Sequence, residues 1–162
     1  MDGMPVRPSV LWKQMPLEKR QAAAAAFWED ENGLDQQVEV IVTLARRLNF
    51  RPKSVQQLPA ERRIKLLAGL TDASEAVATR ALIGYHLTHE RPMMAAFLDA
   101  VGVRHEDGLI QDEEVAAPPT EKLQAGVAAL RAGFPADAVE LYLRTLVVLD
   151  GDTWGGLEDQ LG

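Results

Sequence analysis

Apolar residues in this chain recur at three- and four-residue steps, and no segment sustains an alternation of period two. That spacing predicts helices nearly throughout. Residues 1–14 have no clear period, and Pro5 and Pro8 predict an extended arm that Trp12 and Met15 tack onto the body. Pro16 opens a helix over Leu17–Asp30. Its five consecutive alanines, Ala22 to Ala26, carry the highest helix propensity and let another helix approach closely. Gly33 breaks this run. Leu34, Val38, Ile41, Val42, Ala45 and Leu48 then make one apolar stripe on a second helix, which Pro52 stops. Pro59 starts a third helix with Ile64, Leu67 and Ala68 inward, ending near Gly69. Thr71 or Asp72 caps a fourth, with Val77, Ala81, Leu82 and Tyr85 on one face. Pro92 starts a fifth through Met93, Met94, Phe97, Leu98 and Val101.

Beyond the fifth helix the pattern changes. Residues 103–111 are the best strand candidate, with Asp107-Gly108 suited to the turn of a very short hairpin. Residues 111–118 collect acids, small residues and proline and read as a linker. Glu121–Ala132 and Pro135–Leu149 follow as two helices split by Gly133, and a short last helix spans Thr153–Leu161. The expected fold is therefore all-α, an orthogonal or antiparallel bundle of about seven to eight helices built from helical hairpins. The expected organisation is an N-terminal helical domain over 1–110, a linker at 111–118, and a C-terminal hairpin with a short helix over 119–162.

Three helix starts share one local form: Pro16-Leu17-Glu18-Lys19, Pro59-Ala60-Glu61-Arg62 and Pro119-Thr120-Glu121-Lys122. Proline suits a helix start because its missing N–H would be unpaired there, and the glutamate favours the positive end of the helix dipole. Arg51-Pro52 and Arg91-Pro92 echo each other 40 residues apart. A stack of hairpin repeats would produce these echoes, and so would unrelated helices obeying one capping rule.

Residues 119–152 carry a more specific pattern. Gly126 is a small residue in the first helix, Gly133 lies at the turn, and Ala138, Tyr142 and Leu146 follow at four-residue steps in the second. This segment resembles a single tetratricopeptide repeat. It departs from that family at Lys122, Ala129, Thr145 and Asp150, and no second copy lies 34 residues away in either direction. The resemblance implies a helical hairpin of a kind used in protein contacts, without a peptide-binding site, which needs several stacked repeats. One such hairpin cannot bury its own apolar face. Val127, Leu130, Phe134, Val139, Tyr142, Leu143 and Val147 need a cover: the N-terminal helices, a second copy or a partner.

Composition narrows the chemistry. The 162 residues contain no cysteine, which excludes disulfides, a thiolate nucleophile and a zinc finger. The longest stretch without an acidic or basic side chain, histidines aside, is the nine residues Ala81–His89, too short for a spanning helix. The opening Met1-Asp2-Gly3 lacks a basic-then-apolar leader and a myristoylation glycine, so a cytoplasmic protein is expected. The net charge of −7 counts against non-specific binding to nucleic acid. Yet residues 46–65 hold Arg46, Arg47, Arg51, Lys53, Arg62, Arg63 and Lys65 against Glu61 alone. This window reads either as a docking patch for an acidic partner or nucleic acid, or as a solvated face neutralised by the chain's own acids.

Catalytic motifs are absent from the sequence: it has no phosphate-binding glycine loop and no nucleophile elbow, and its three serines sit in neither context. His86 and His89 share a helix face next to Glu90, and His105 lies in the loop, a set that could ligate a metal. The spacing matches neither a zincin nor a di-iron bundle. The expectation is a non-enzymatic helical interaction or scaffold module without cofactor, acting on a protein partner or by self-association. The alternatives are a helical-bundle enzyme or metal protein using the histidines, and nucleic-acid binding through residues 46–65 in a helix-turn-helix manner.

Overall fold

A computed structural model describes residues 7–161. The protein is all-α, with one two-stranded ribbon. It divides into two compact units, which among the described residues are 7–85 and 86–161. The division falls between Tyr85 and His86, inside a helix, rather than at the linker expected at 111–118.

The first unit opens with α1, Pro8–Gln14. The arm expected over 1–14 is thus helical from Pro8, and residues 1–6 lie outside the described residues. Proline at the first helical position fixes φ where no N–H bond is lost, which overrides the breaker reading. Trp12 and Met15 are buried as expected, and the Trp12 indole N–H donates to the Leu70 carbonyl at 2.8 Å. Next come α2 (Leu17–Glu29), a 3₁₀ turn (Glu31–Gly33) and α3 (Leu34–Leu48). The short α4 (Pro52–Gln56) was not foreseen; it packs on α3 and anchors itself with fully buried Val55. α5 (Ala60–Ala68) packs on α2. α6 (Glu75–His89) starts from Ser74, whose hydroxyl accepts the Val77 N–H at 3.2 Å, so the cap is neither Thr71 nor Asp72. A methyl group on Gly84 would meet the Ala26 methyl at 3.3 Å, so the alanine run of α2 does admit a closely approaching helix.

The stripe on α3 is turned from its expected position. Val40, Ile41, Leu44 and Ala45 are buried, whereas Leu34 is 61% and Val38 55% exposed. The core contacts follow the 40/41/44/45 face, and the N-terminal end of the stripe lies past its edge.

The second unit begins at His86 and contains α7 (Arg91–Val101), with Pro92 in its first turn. The ribbon pairs β1 (His105–Glu106) with β2 (Leu109–Ile110), antiparallel, His105 opposite Ile110. Asp107 and Gly108 both have positive φ, 52° and 87°, as a two-residue hairpin of this twist requires. A side chain on Gly108 would lie 2.9 Å from the Met94 Cβ, so only glycine lets the turn press against α7. α8 (Thr120–Gly133) and α9 (Ala136–Leu149) follow. The chain closes with α10 (Gly151–Trp154), a 3₁₀ turn (Gly155–Leu157) and α11 (Glu158–Leu161), where one short helix was expected. The cover for the α8–α9 face is within this unit: Val127, Leu130, Val139, Tyr142 and Leu143 share a core with Phe97 and Val101 of α7 and with Trp154, Leu157 and Leu161. Among the described residues no helix is long and apolar enough to cross a membrane.

Candidate interaction surface

The basic window occupies the turn from α3 through α4 into α5. α3 ends because Asn49 enters the left-handed region, φ 57° and ψ 41°. The Phe50 N–H then returns to the Ala45 carbonyl at 2.8 Å and the Asn49 N–H to that of Arg46 at 3.4 Å, which satisfies the last turn's carbonyls. This cap presents Phe50, 44% exposed, beside Arg46, Arg47, Arg51 and Lys53 in the chain.

The seven cations have different fates. Arg47 pairs with Asp72, and Lys65 with Glu61 at 3.8 Å, one turn back on α5. Arg63 is half-buried, its guanidinium 5.3 Å from the centre of the Trp28 ring. The Trp28 indole N–H donates to the Arg63 carbonyl at 3.1 Å, and Arg63 Nε is buried with no hydrogen-bond partner among the described residues. Arg63 therefore holds α5 to α2 and is not available to a partner. Arg46, Arg51, Lys53 and Arg62 are exposed and form no ion pair with a described residue.

Elsewhere in this unit Arg20 donates through Nε to the Ala68 carbonyl at 2.8 Å, and Arg80 and Arg7 face carboxylates. Arg80 makes a short, partly buried ion pair with Asp30, its Nε also 3.2 Å from the same oxygen. Asp30 accepts the Asn32 N–H at 2.9 Å, so one carboxylate ties the α2–α3 corner to α6. Glu75 accepts the Ser9 backbone N–H and hydroxyl, both at 2.8 Å, with Arg7 at 3.7 Å. The Ser9 backbone bond, aided by the hydroxyl and by Arg7 and opposed by some desolvation, holds the Glu75 carboxyl below its ordinary value. The Arg80–Asp30, Ser9–Glu75 and Arg7–Glu75 partners were not visible in the sequence, because each pair spans 50 or more positions.

The histidine set is distributed through the second unit. His86 is 4% exposed, its ring 5.5 Å from that of Tyr142, whose hydroxyl is pushed well above its ordinary value by burial. His89 is exposed at the end of α6, and half-buried Glu90 leads into α7. His105 lies 2.6 Å from an Asp99 oxygen through Nε2, and its Nδ1 accepts the Gly108 N–H at 3.1 Å. An amide N–H can only donate, so the His105 proton sits on Nε2, facing the carboxylate. Both ring nitrogens are then engaged, leaving no lone pair for a metal. Among the described residues no group of three or more His, Asp or Glu side chains is placed to hold a metal ion.

Each unit holds a cleft among its described residues. One, beside Val40, Asp72 and Val77, adjoins the Arg47–Asp72 pair; the other runs along the extended segment Val115–Pro119 past Lys122 and Arg104. None of His86, His89, Glu90 and His105 lines either cleft. No family model, curated protein or solved structure matches the chain.

Proposed function

We propose that the protein is a non-enzymatic helical interaction module whose basic turn, Arg46 to Lys65, takes an acidic surface of a protein partner. One observation carries this reading. Four cations, three of them within four positions of the exposed Phe50 in the chain, stand exposed without an ion pair among the described residues, in a unit that elsewhere ties half-buried Arg20 and Arg80 to its own carbonyls and carboxylates. Arginine and an aromatic side chain together are the usual anchors of an interface. The turn that displays them is fixed by the Asn49 cap and by Val55, so little order is lost on docking.

The test uses a labelled peptide of glutamates interrupted by leucine, with a random DNA duplex of equal charge as the rival probe. The full chain is expected to bind the peptide more tightly than the duplex at physiological salt. Arg51→Glu with Arg62→Glu is expected to weaken peptide binding about tenfold or more with helicity unchanged. Arg47 is a poor probe, because its loss also frees Asp72. Tighter binding to the duplex, or an unchanged peptide affinity in the double variant, overturns the proposal.

A further inference from the structure

We infer that the open edge of α3 is a self-pairing surface: two copies of the chain join through antiparallel α3 helices related by a two-fold axis. The uncovered apolar residues lie on one line. Leu34, Val38 and Val42 recur every four positions, the first two 61% and 55% exposed and the third half-buried. The buried face of the same helix, Val40, Ile41, Leu44 and Ala45, is already taken by the unit's own core. The remaining edge is apolar enough to pair and too narrow to be a second core.

Charge names the occupant. Next to Val42 on the helix surface, at 100° per residue, lie Asp35 in the first turn and Arg46 in the last. Both are exposed, and neither pairs with a described residue. The edge is thus acidic at its start and basic at its end. A parallel copy would set like charges together. An antiparallel copy with its axis near Val40 brings Val38 against Val42 of the second copy and Asp35 level with its Arg46, twice by symmetry. Opposed helix dipoles favour the same orientation. Glu39, about 60° round from Val42, lines the cleft beside Val40, Thr43 and Asp72 on the other side of the helix. The patch is smaller than the ~800 Å² per partner of a stable complex, so association is expected at tens of micromolar, roughly. This inference shares Arg46 with the acidic-partner reading but does not rest on it, because Arg51 and Arg62, the residues exchanged in the peptide test, take no part in the seam.

Sedimentation velocity of the full chain over a concentration series tests it. The expected mass rises from 17.8 kDa towards twice that value. Val38→Glu is expected to weaken the dimer about 100-fold, because each substitution appears twice, while circular dichroism stays unchanged. Asp35→Arg and Arg46→Asp are each expected to weaken it, and the double exchange to restore it. A wild-type chain that stays monomeric at several hundred micromolar, roughly, overturns the inference. So does a dimer indifferent to Val38→Glu, or a double exchange that fails to rescue. Loss of peptide binding with an intact dimer would strike only the acidic-partner proposal.

Discussion

The two units of this chain divide its chemistry between them. Residues 7–85 carry 12 Lys and Arg against 9 Asp and Glu, a balance of +3; residues 86–161 carry 5 against 14, a balance of −9. Of the six most exposed large apolar side chains among the described residues, Leu17, Leu34, Val38 and Phe50 belong to the first unit. In the second unit glycines close the core: a side chain on Gly126 would stand 2.8 Å from Phe97 and Val101, and one on Gly156 2.8 Å from Leu123. Around that core Phe97 meets Tyr142 edge-on at 5.8 Å and Trp154 at 5.6 Å. One unit turns its apolar side chains inward and acids outward, which keeps a surface wet and single. The other leaves an apolar edge and unmatched cations in solvent, and recognition is best sought there.

The comparison makes the second unit's packing the place of greatest sensitivity. Phe97→Ala removes a fully buried ring that two other aromatics touch, and about 3–5 kcal/mol of stability is expected to go with it. Gly126→Ala adds one methyl against Phe97 and Val101, and overpacking of that kind costs about 1–3 kcal/mol. Gly133→Ala meets nothing within 4 Å and is expected to be neutral or stabilising, since alanine is the better helix former. Urea unfolding of the three variants decides. Equal losses at Gly126 and Gly133 would show that the close approach of α8 to α7 is not what the glycine serves.

Polar ties give the first unit its own ranking. Asp30→Ala leaves Arg80 partly buried without its carboxylate and opens the Asn32 turn, for an expected loss of about 2 kcal/mol. Arg47→Ala breaks a pair whose side chains are 52% and 63% exposed, and no more than about 0–1 kcal/mol is expected. Thermal melts of the two variants side by side check this order. A reversal would mean that the basic turn is internal glue and would remove it as a docking surface.

Most helices could be read from periodicity and proline, and α3 matches residue for residue. The hairpin was legible because Asp-Gly is the local chemistry of its turn. What escaped has a physical cause in each case. Pro8 and Pro52 looked like breakers, yet each sits at the first position of a helix, where proline loses nothing. The α3 stripe had the right residues and the wrong inward edge, since periodicity shows that a face exists and tertiary contacts choose which part of it is covered. The basic window was visible as composition. Its sorting into a tied Arg63, paired Arg47 and Lys65, and four cations without an ion pair among the described residues depended largely on Trp28 and Asp72, which lie far along the chain.

The smallest effects separate the units by pH. In the first, the Glu75 carboxyl is held below its ordinary value of 4.5 by the Ser9 backbone N–H, then by the Ser9 hydroxyl and Arg7. Folding therefore favours the ionised form. The resulting stability is present above pH 4.5 and lost as pH falls through the lower folded value. In the second, burial raises the Tyr142 hydroxyl above its ordinary value of 10.0. Its contribution is intact below pH 10 and lost as pH rises from there, because only the unfolded chain can release that proton readily. Tyr142→Phe is expected to flatten the alkaline fall in melting temperature and to leave the acid limb alone. Glu75→Gln is expected to lower the melting temperature at pH 6 and to match the wild type near pH 2, roughly. The Glu75 difference is the fainter of the two, below about 1 kcal/mol, because its carboxylate is half-exposed and water screens it. An alkaline limb unchanged by Tyr142→Phe would show that the hydroxyl ionises as readily in the folded chain as in the unfolded one, and the contrast between a closed second unit and an open first would lose that support.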